Sequence, residues 1–229
     1  MRRAVFFALF VLAGCRSDGP RPVDRRLAAF LPEDALVLAG VRVDEAKASP
    51  LGAKLAALLA PVGAEPHDLL ASWNGKDWLV AAQVSSGGTV GDVALAGPPE
   101  AVRAAVERQR AGRPGPLALL ARAPPANIWA VSSGAPLLPG GPYAAVSRLL
   151  NAMEDITITV DLAGGIRAAV HGNCRDERNA QIVADALRAL AAVGKLEGVS
   201  VEQNGRSVNA AGALPREAAE RLAERFIPR

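Results

Sequence analysis

Asp155-Ile156-Thr157-Ile158-Thr159-Val160-Asp161-Leu162 leads across Ala163-Gly164-Gly165 into Ile166-Arg167-Ala168-Ala169-Val170-His171-Gly172-Asn173. In the first run Ile156, Ile158 and Val160 alternate with Thr157, Thr159 and Asp161, the period of a strand with one dry and one wet face. A short glycine-bearing link between two such runs predicts an antiparallel hairpin. Strands wet on one side need helices on the other, which points to an α+β fold of antiparallel sheets with helices packed on one face.

The pattern extends in both directions. Downstream, a helix is expected from about Asp176 to Gly194, with Ile182, Val183, Leu187 and Leu190 at helical spacing. A second hairpin, Val199–Gln203 and Ser207–Ala213, turns at Asn204-Gly205, a strong two-residue hairpin signal. A closing helix follows over Pro215–Phe226. Upstream, Ala35–Val43 reads as a central strand, Ser49-Pro50 as a helix start, and His67–Trp73 as a short helix. Asp77–Ser85 and Val90–Gly97 read as strands joined by Ser86-Gly87-Gly88-Thr89. A helix from Pro98-Pro99-Glu100 to about Arg110, a strand over Leu117–Arg122 and another over Asn127–Ser133 complete the first cycle. Gly141-Pro142-Tyr143 then opens a helix to about Met153. A shift of 92 residues lays Leu36 on Ile128 and Pro50 on Pro142, so two duplicated halves are expected, 31–123 and 124–229. Proline-rich Pro98–Pro142 is the expected seam between them.

The chain opens with Met1-Arg2-Arg3 and an apolar run from Ala4 that stops at Arg16-Ser17-Asp18. Spanning a bilayer takes about 20 apolar residues. A charged start, a short apolar core and small residues before the break form an export leader, expected over residues 1–14. Leu12-Ala13-Gly14-Cys15 also resembles the lipobox of bacterial lipoproteins. That resemblance implies cleavage before Cys15, a diacylglyceryl group on its thiol and usually an N-acyl chain. A plain leader peptide or an uncleaved anchor are the alternatives. More than one acyl chain holds a protein stably on a membrane, so the implied partner is membrane lipid through acylated Cys15. Arg16 stands where an aspartate commonly retains such proteins at the inner membrane, which implies the periplasmic face of the outer membrane. Residues 15–30 read as the lipidated cysteine and its tether. From Arg16 to Val23 the chain can span at most about 29 Å, keeping the body close to the surface.

A second, shorter resemblance lies in Leu31-Pro32-Glu33-Asp34-Ala35-Leu36-Val37-Leu38-Ala39-Gly40-Val41 and Ser49-Pro50-Leu51-Gly52-Ala53-Lys54-Leu55. These are similar to the opening of uncharacterised exported bacterial proteins of the DUF3352 type. The likeness implies an exported α+β protein and carries no catalytic residues with it.

Composition excludes more than it assigns. Loss of Arg2 and Arg3 with the leader lowers the formal net charge from +3 to +1. No basic stripe interleaved with aromatics appears, so nucleic acid is not an expected partner. With Cys15 acylated, Cys174 has no disulfide partner in the chain; it reads as a small buried hydrophobe, or as a reactive thiol.

The two histidines, His67 in Glu65-Pro66-His67-Asp68 and His171, have no ligand neighbour at metal-site spacing, and no metal or cofactor is expected. His171 and Cys174, three apart on one strand, should face opposite ways, which argues against a Cys–His pair. No serine stands in Gly-x-Ser-x-Gly or Ser-x-x-Lys. The pairs Glu33-Asp34, Asp44-Glu45 and Glu154-Asp155 lie at element boundaries, where carboxylates cap and turn. Trp73 and Trp78 flank Asn74-Gly75-Lys76 and read as core aromatics, with a small surface feature as the alternative. No catalytic residue is expected. The reading is a membrane-anchored periplasmic module that binds or scaffolds an envelope protein or lipid without being an enzyme. The alternative is a hydrolase or thiol-dependent enzyme whose residues meet only in the fold. A histidine within reach of a serine or carboxylate would favour the enzyme; an apolar groove without polar groups would favour binding.

Overall fold

A computed structural model of the chain describes residues 25–49, 65–86, 89–133, 152–162, 165–193, 198–215 and 217. The leader, Cys15 and its tether lie outside the described residues. So do the helices expected after Pro50 and Gly141, the hairpin glycines Gly87 and Gly88, and nearly all of the closing helix. Among the described residues no helix is long and apolar enough to cross a membrane.

The described elements are α1 (Arg25–Ala28), β1 (Val37–Arg42), α2 (Val43–Lys47), β2 (Glu65–Trp73), β3 (Trp78–Ser86), β4 (Thr89–Ala96), α3 (Pro99–Arg110) and α4 (Leu117–Leu120). They continue as β5 (Ile128–Ser133), β6 (Met153–Asp161), β7 (Gly165–Cys174), α5 (Glu177–Val193), β8 (Ser200–Asn204) and β9 (Ser207–Pro215). All nine strands join one sheet in the order β4-β3-β2-β1-β5-β6-β7-β9-β8, and every pairing is antiparallel. The chain is therefore α+β. Outward from the β1–β5 seam, the order is symmetric: β2, β3 and β4 on one side, β6, β7 and β9 on the other.

The helices are not confined to one face as expected. Cross-strand partners share a face, so Leu38, Val131, Trp129 and Leu70 lie on one side of the sheet, where α1, α3 and α4 cover them with Leu27, Ala105 and Leu119. Ile156 and Ile158 pair with Ser132 and Ala130, which places them on the other side. There α5 seals Met153, Ile156, Cys174 and Val208 with Ala180, Val183 and Ala184. The main core cluster of each half lies on a different face, because the largest apolar positions change parity across the seam. The smaller cluster of Val43, Leu69, Ala82 and Val84 lies with α2 on the α5 side.

Three local readings are corrected. Residues 65–73, expected partly as a helix, are β2, held by both β1 and β3. Leu117–Leu120 is a helical turn, not a strand. The two-residue loop of the last hairpin is Gly205-Arg206, one position later than expected, since Asn204 pairs with Ser207 and Gly205 takes φ 56°. In addition, the proline-rich seam is partly core: Ala105 and Leu119 pack beneath the sheet together with Trp129 and Val131.

Helix α5 starts where its side chains dictate. Asp176 Oδ1 accepts the Asn179 backbone N–H at 2.7 Å, satisfying one of the free amides of the first turn. Ala180, Val183, Ala184 and Leu187 then form the apolar stripe over β6, β7 and β9.

Candidate functional site

His67 is the extra residue of a β-bulge: β2 pairs Pro66 with Val84 and then Asp68 with Gln83, leaving His67 without a ladder partner. A second bulge adjoins it in the β3–β4 ladder, where Val84 pairs with Asp92 and Ser85 with Val90, so Gly91 of β4 is extra. Bulges re-aim side chains that a regular pleat would point elsewhere. The two together bring His67 Nε2 within hydrogen-bond reach of Ser85 Oγ. His67 Nδ1 lies 2.8 Å from Asp44 Oδ2. Asp44 sits in the first turn of α2, whose first residue, Val43, is fully buried and fixes the helix on the sheet.

A carboxylate accepts hydrogen bonds and does not donate, so in the neutral ring Nδ1 carries the proton and Nε2 keeps its lone pair toward Ser85. The Ser85 hydroxyl then donates to Nε2. A serine, a histidine and a carboxylate from three elements thus form a single line. The His67 side chain is 26% exposed and that of Asp44 62%, so the group is open to solvent.

His67 was expected to open a short helix; it is instead the third residue of β2. Asp44 was read as a boundary carboxylate, and Ser85 gave no signal. Glu154, Asp155 and Glu45 have structural partners. Asp155 accepts from Asn173 Nδ2 at 3.1 Å and faces Arg122 at 3.6 Å, and Glu154 meets Arg206 at 3.4 Å. Glu45 accepts from Asn127 Nδ2 at 2.7 Å, while Asn127 Oδ1 accepts the Leu162 N–H at 2.8 Å. Asn127 thereby ties α2 to the end of β6.

His171 and Cys174 face opposite ways, as their spacing requires. His171 is exposed and its Nδ1–H donates to Asn209 Oδ1 at 2.6 Å. Cys174 is fully buried beneath α5. Burial, then the charges of Asp176, Asp155 and Glu154, push its thiol pKa above the ordinary value. A raised thiol pKa means that the folded state favours the neutral form. The associated stability is fully present below the ordinary thiol pKa and is lost as pH rises through the folded value. The native chain should therefore resist maleimide at pH 8 and react on unfolding, and Cys174→Ala should flatten the alkaline limb of a stability-versus-pH curve. Fast labelling of the native protein at this position would refute that.

Trp73 and Trp78 stack on one another across the Asn74 turn, with ring centroids 6.1 Å apart. Asn74 Oδ1 holds the turn by accepting the N–H groups of Lys76 and Asp77. Trp78 is 47% exposed, so the pair is a surface feature and not core. Trp129 is the buried tryptophan.

A second feature lies on the α5 side of the sheet, at the far end of β7 and β9. Ile166, Ala168 and Val170 face the same way as their partners Leu214, Gly212 and Ala210. With Val199 they line a groove of about 210 Å³ that, among the described residues, no polar or charged side chain enters.

No protein-family model matches the chain, and no curated protein matches it in sequence. Among solved structures, crystal form I of TP0453 is similar with a TM-score of 0.44 and 9% sequence identity, over 88% of this chain and 98% of that one.

Proposed function

We propose that the protein is a membrane-anchored lipoprotein of the cell envelope, held at the periplasmic face of the outer membrane by acylated Cys15. In this reading its body is a binding module that takes an acyl chain into the β7–β9 groove. The observation that carries the reading is the groove's wholly aliphatic lining. A polar ligand would lose its water there without replacement hydrogen bonds. The nine residues that line the groove are also far fewer than the roughly 20–30 a side that a stable protein complex uses. A hydrocarbon chain needs no hydrogen bonds and gains about 0.8 kcal/mol for each methylene it buries. The short tether supports the same ligand, because it would hold the groove within a few tens of ångströms of a lipid surface.

Anchor and groove are tested separately. In cells, Cys15→Ala is expected to abolish incorporation of labelled palmitate and release the protein from the membrane fraction; persistent labelling would refute the anchor. With purified Cys15→Ala protein, a fluorescent long-chain fatty acid should bind, and Leu214→Asp should remove that binding while circular dichroism stays unchanged. Absent binding, binding indifferent to Leu214→Asp, or a dimer that occludes the groove would each reject the ligand.

A further inference from the structure

We propose that Asp44, His67 and Ser85 form a nucleophilic serine site that cleaves uncharged carboxylic esters, an activity beyond the binding role above. Three observations meet here. The histidine has both ring nitrogens engaged, one by a carboxylate and one by a hydroxyl. The carboxylate fixes the tautomer in which Nε2 accepts the serine proton, so the ring is oriented as a general base. The two strand irregularities fall at His67 and next to Ser85 and nowhere else in the β2–β3–β4 ladders. A regular pleat would not require them. Last, the line is reachable from solvent, with His67 partly and Asp44 largely exposed.

In the reaction, Ser85 Oγ attacks the ester carbonyl carbon as its proton passes to His67 Nε2. The carbon–oxygen bond to the alcohol breaks, and the departing alkoxide takes that proton and leaves as the alcohol. Water then attacks the Ser85 ester, giving its proton to His67, which returns it to Ser85 Oγ as the carboxylic acid departs. Ser85 is the nucleophile, His67 the base and then the acid. Asp44 is a positioning residue that keeps the ring in one tautomer. Its exposed negative charge beside the ring disfavours anionic substrates, which selects uncharged esters.

The test uses the full chain in detergent with a biotinylated fluorophosphonate. On reaction the Ser85 Oγ–P bond forms, the P–F bond breaks and fluoride leaves, the serine proton passing to His67. Labelling should map to Ser85 by mass spectrometry, vanish in Ser85→Ala and persist in the adjacent Ser86→Ala. His67→Gln should lower the labelling rate at least about 100-fold, the range general-base catalysis supplies. Asp44→Asn, whose amide can donate to the ring and favour the wrong tautomer, should slow labelling, and Asp44→Glu should restore part of the rate. Circular dichroism on each variant separates loss of reactivity from loss of fold. No labelling of the folded full chain, labelling at another residue, or a rate unchanged in His67→Gln would overturn the proposal.

Discussion

Trp129→Ala is expected to cost about 3–5 kcal/mol of unfolding free energy in urea, the range for deleting a fully buried large aromatic. For a domain whose whole stability is on the order of 5–15 kcal/mol, that is a substantial fraction. Trp129 is 2% exposed and lies on β5 directly opposite Gly40 of β1. Its indole occupies the space a Cβ at position 40 would need: such an atom would fall 2.4 Å from both Cε2 and Cζ2. The ring cannot swing aside, because Leu27, Leu38, Leu70 and Val131 belong to the same closed cluster. Gly40→Ala should therefore destabilise by about 1–3 kcal/mol or more through overpacking. The two effects share one cause and must be non-additive. In a Trp129→Leu background Gly40→Ala should cost at least about 1 kcal/mol less than in the native chain. Additive costs would show that the glycine is required for another reason.

Gly115→Ala is the second large effect, and its mechanism is different. A Cβ there would lie 1.9 Å from the carbonyl oxygen of Ala28 and 2.7 Å from its carbon. These are backbone atoms, so no side-chain rotation relieves the overlap. Either the segment leading into α4 or the end of α1 must move. Both are seated in the main core through Leu27, Ala28 and Leu119. The expected loss is at least about 2–3 kcal/mol, at the upper end of overpacking costs, with a thermal midpoint lower by several degrees. At Gly112 a Cβ meets nothing within 4 Å, but φ is 63°. Gly112→Ala should cost only the modest penalty of a left-handed backbone. A Gly115→Ala variant no less stable than Gly112→Ala would contradict the packing described for this turn.

Much of the sheet was legible in the sequence because its strands alternate. Ile156, Ile158 and Val160 located β6, and the turn glycines located β7 and the β8–β9 hairpin to within a residue. The failures have physical causes. Glu65-Pro66-His67-Asp68 looks like a helix start, but β2 is flanked by two strands, and pairing on both edges outweighs so short a helical signal. Leu117-Ala118-Leu119-Leu120 is an apolar run too brief for periodicity to distinguish helix from strand. The single covered face was inferred for a sheet read as separate halves; only the cross-strand register shows the change of parity.

The serine–histidine–carboxylate line was out of reach for a further reason. Asp44, His67 and Ser85 come from three elements and obey no spacing rule. What unites them is a pair of bulges, and a bulge has no reliable sequence signature beyond a glycine, here Gly91. His67 and Asp44 were both noticed as residues; that they meet is a property of the register alone.

The β1–β5 seam bears on how the chain assembles. Neighbours such as β2 and β3 meet across a few residues, Trp73 pairing with Trp78. Val41 and Ile128 pair across nearly ninety. Closing so long a loop costs little more equilibrium entropy than closing a moderate one, since the cost grows only with the logarithm of length, but distant pairings form slowly. The two meanders are thus the natural early units, and their joining through β1 and β5 is the late event. Until then Gly40 and Trp129 stand on unpaired strand edges, so the contact on which the core most depends is among the last to form.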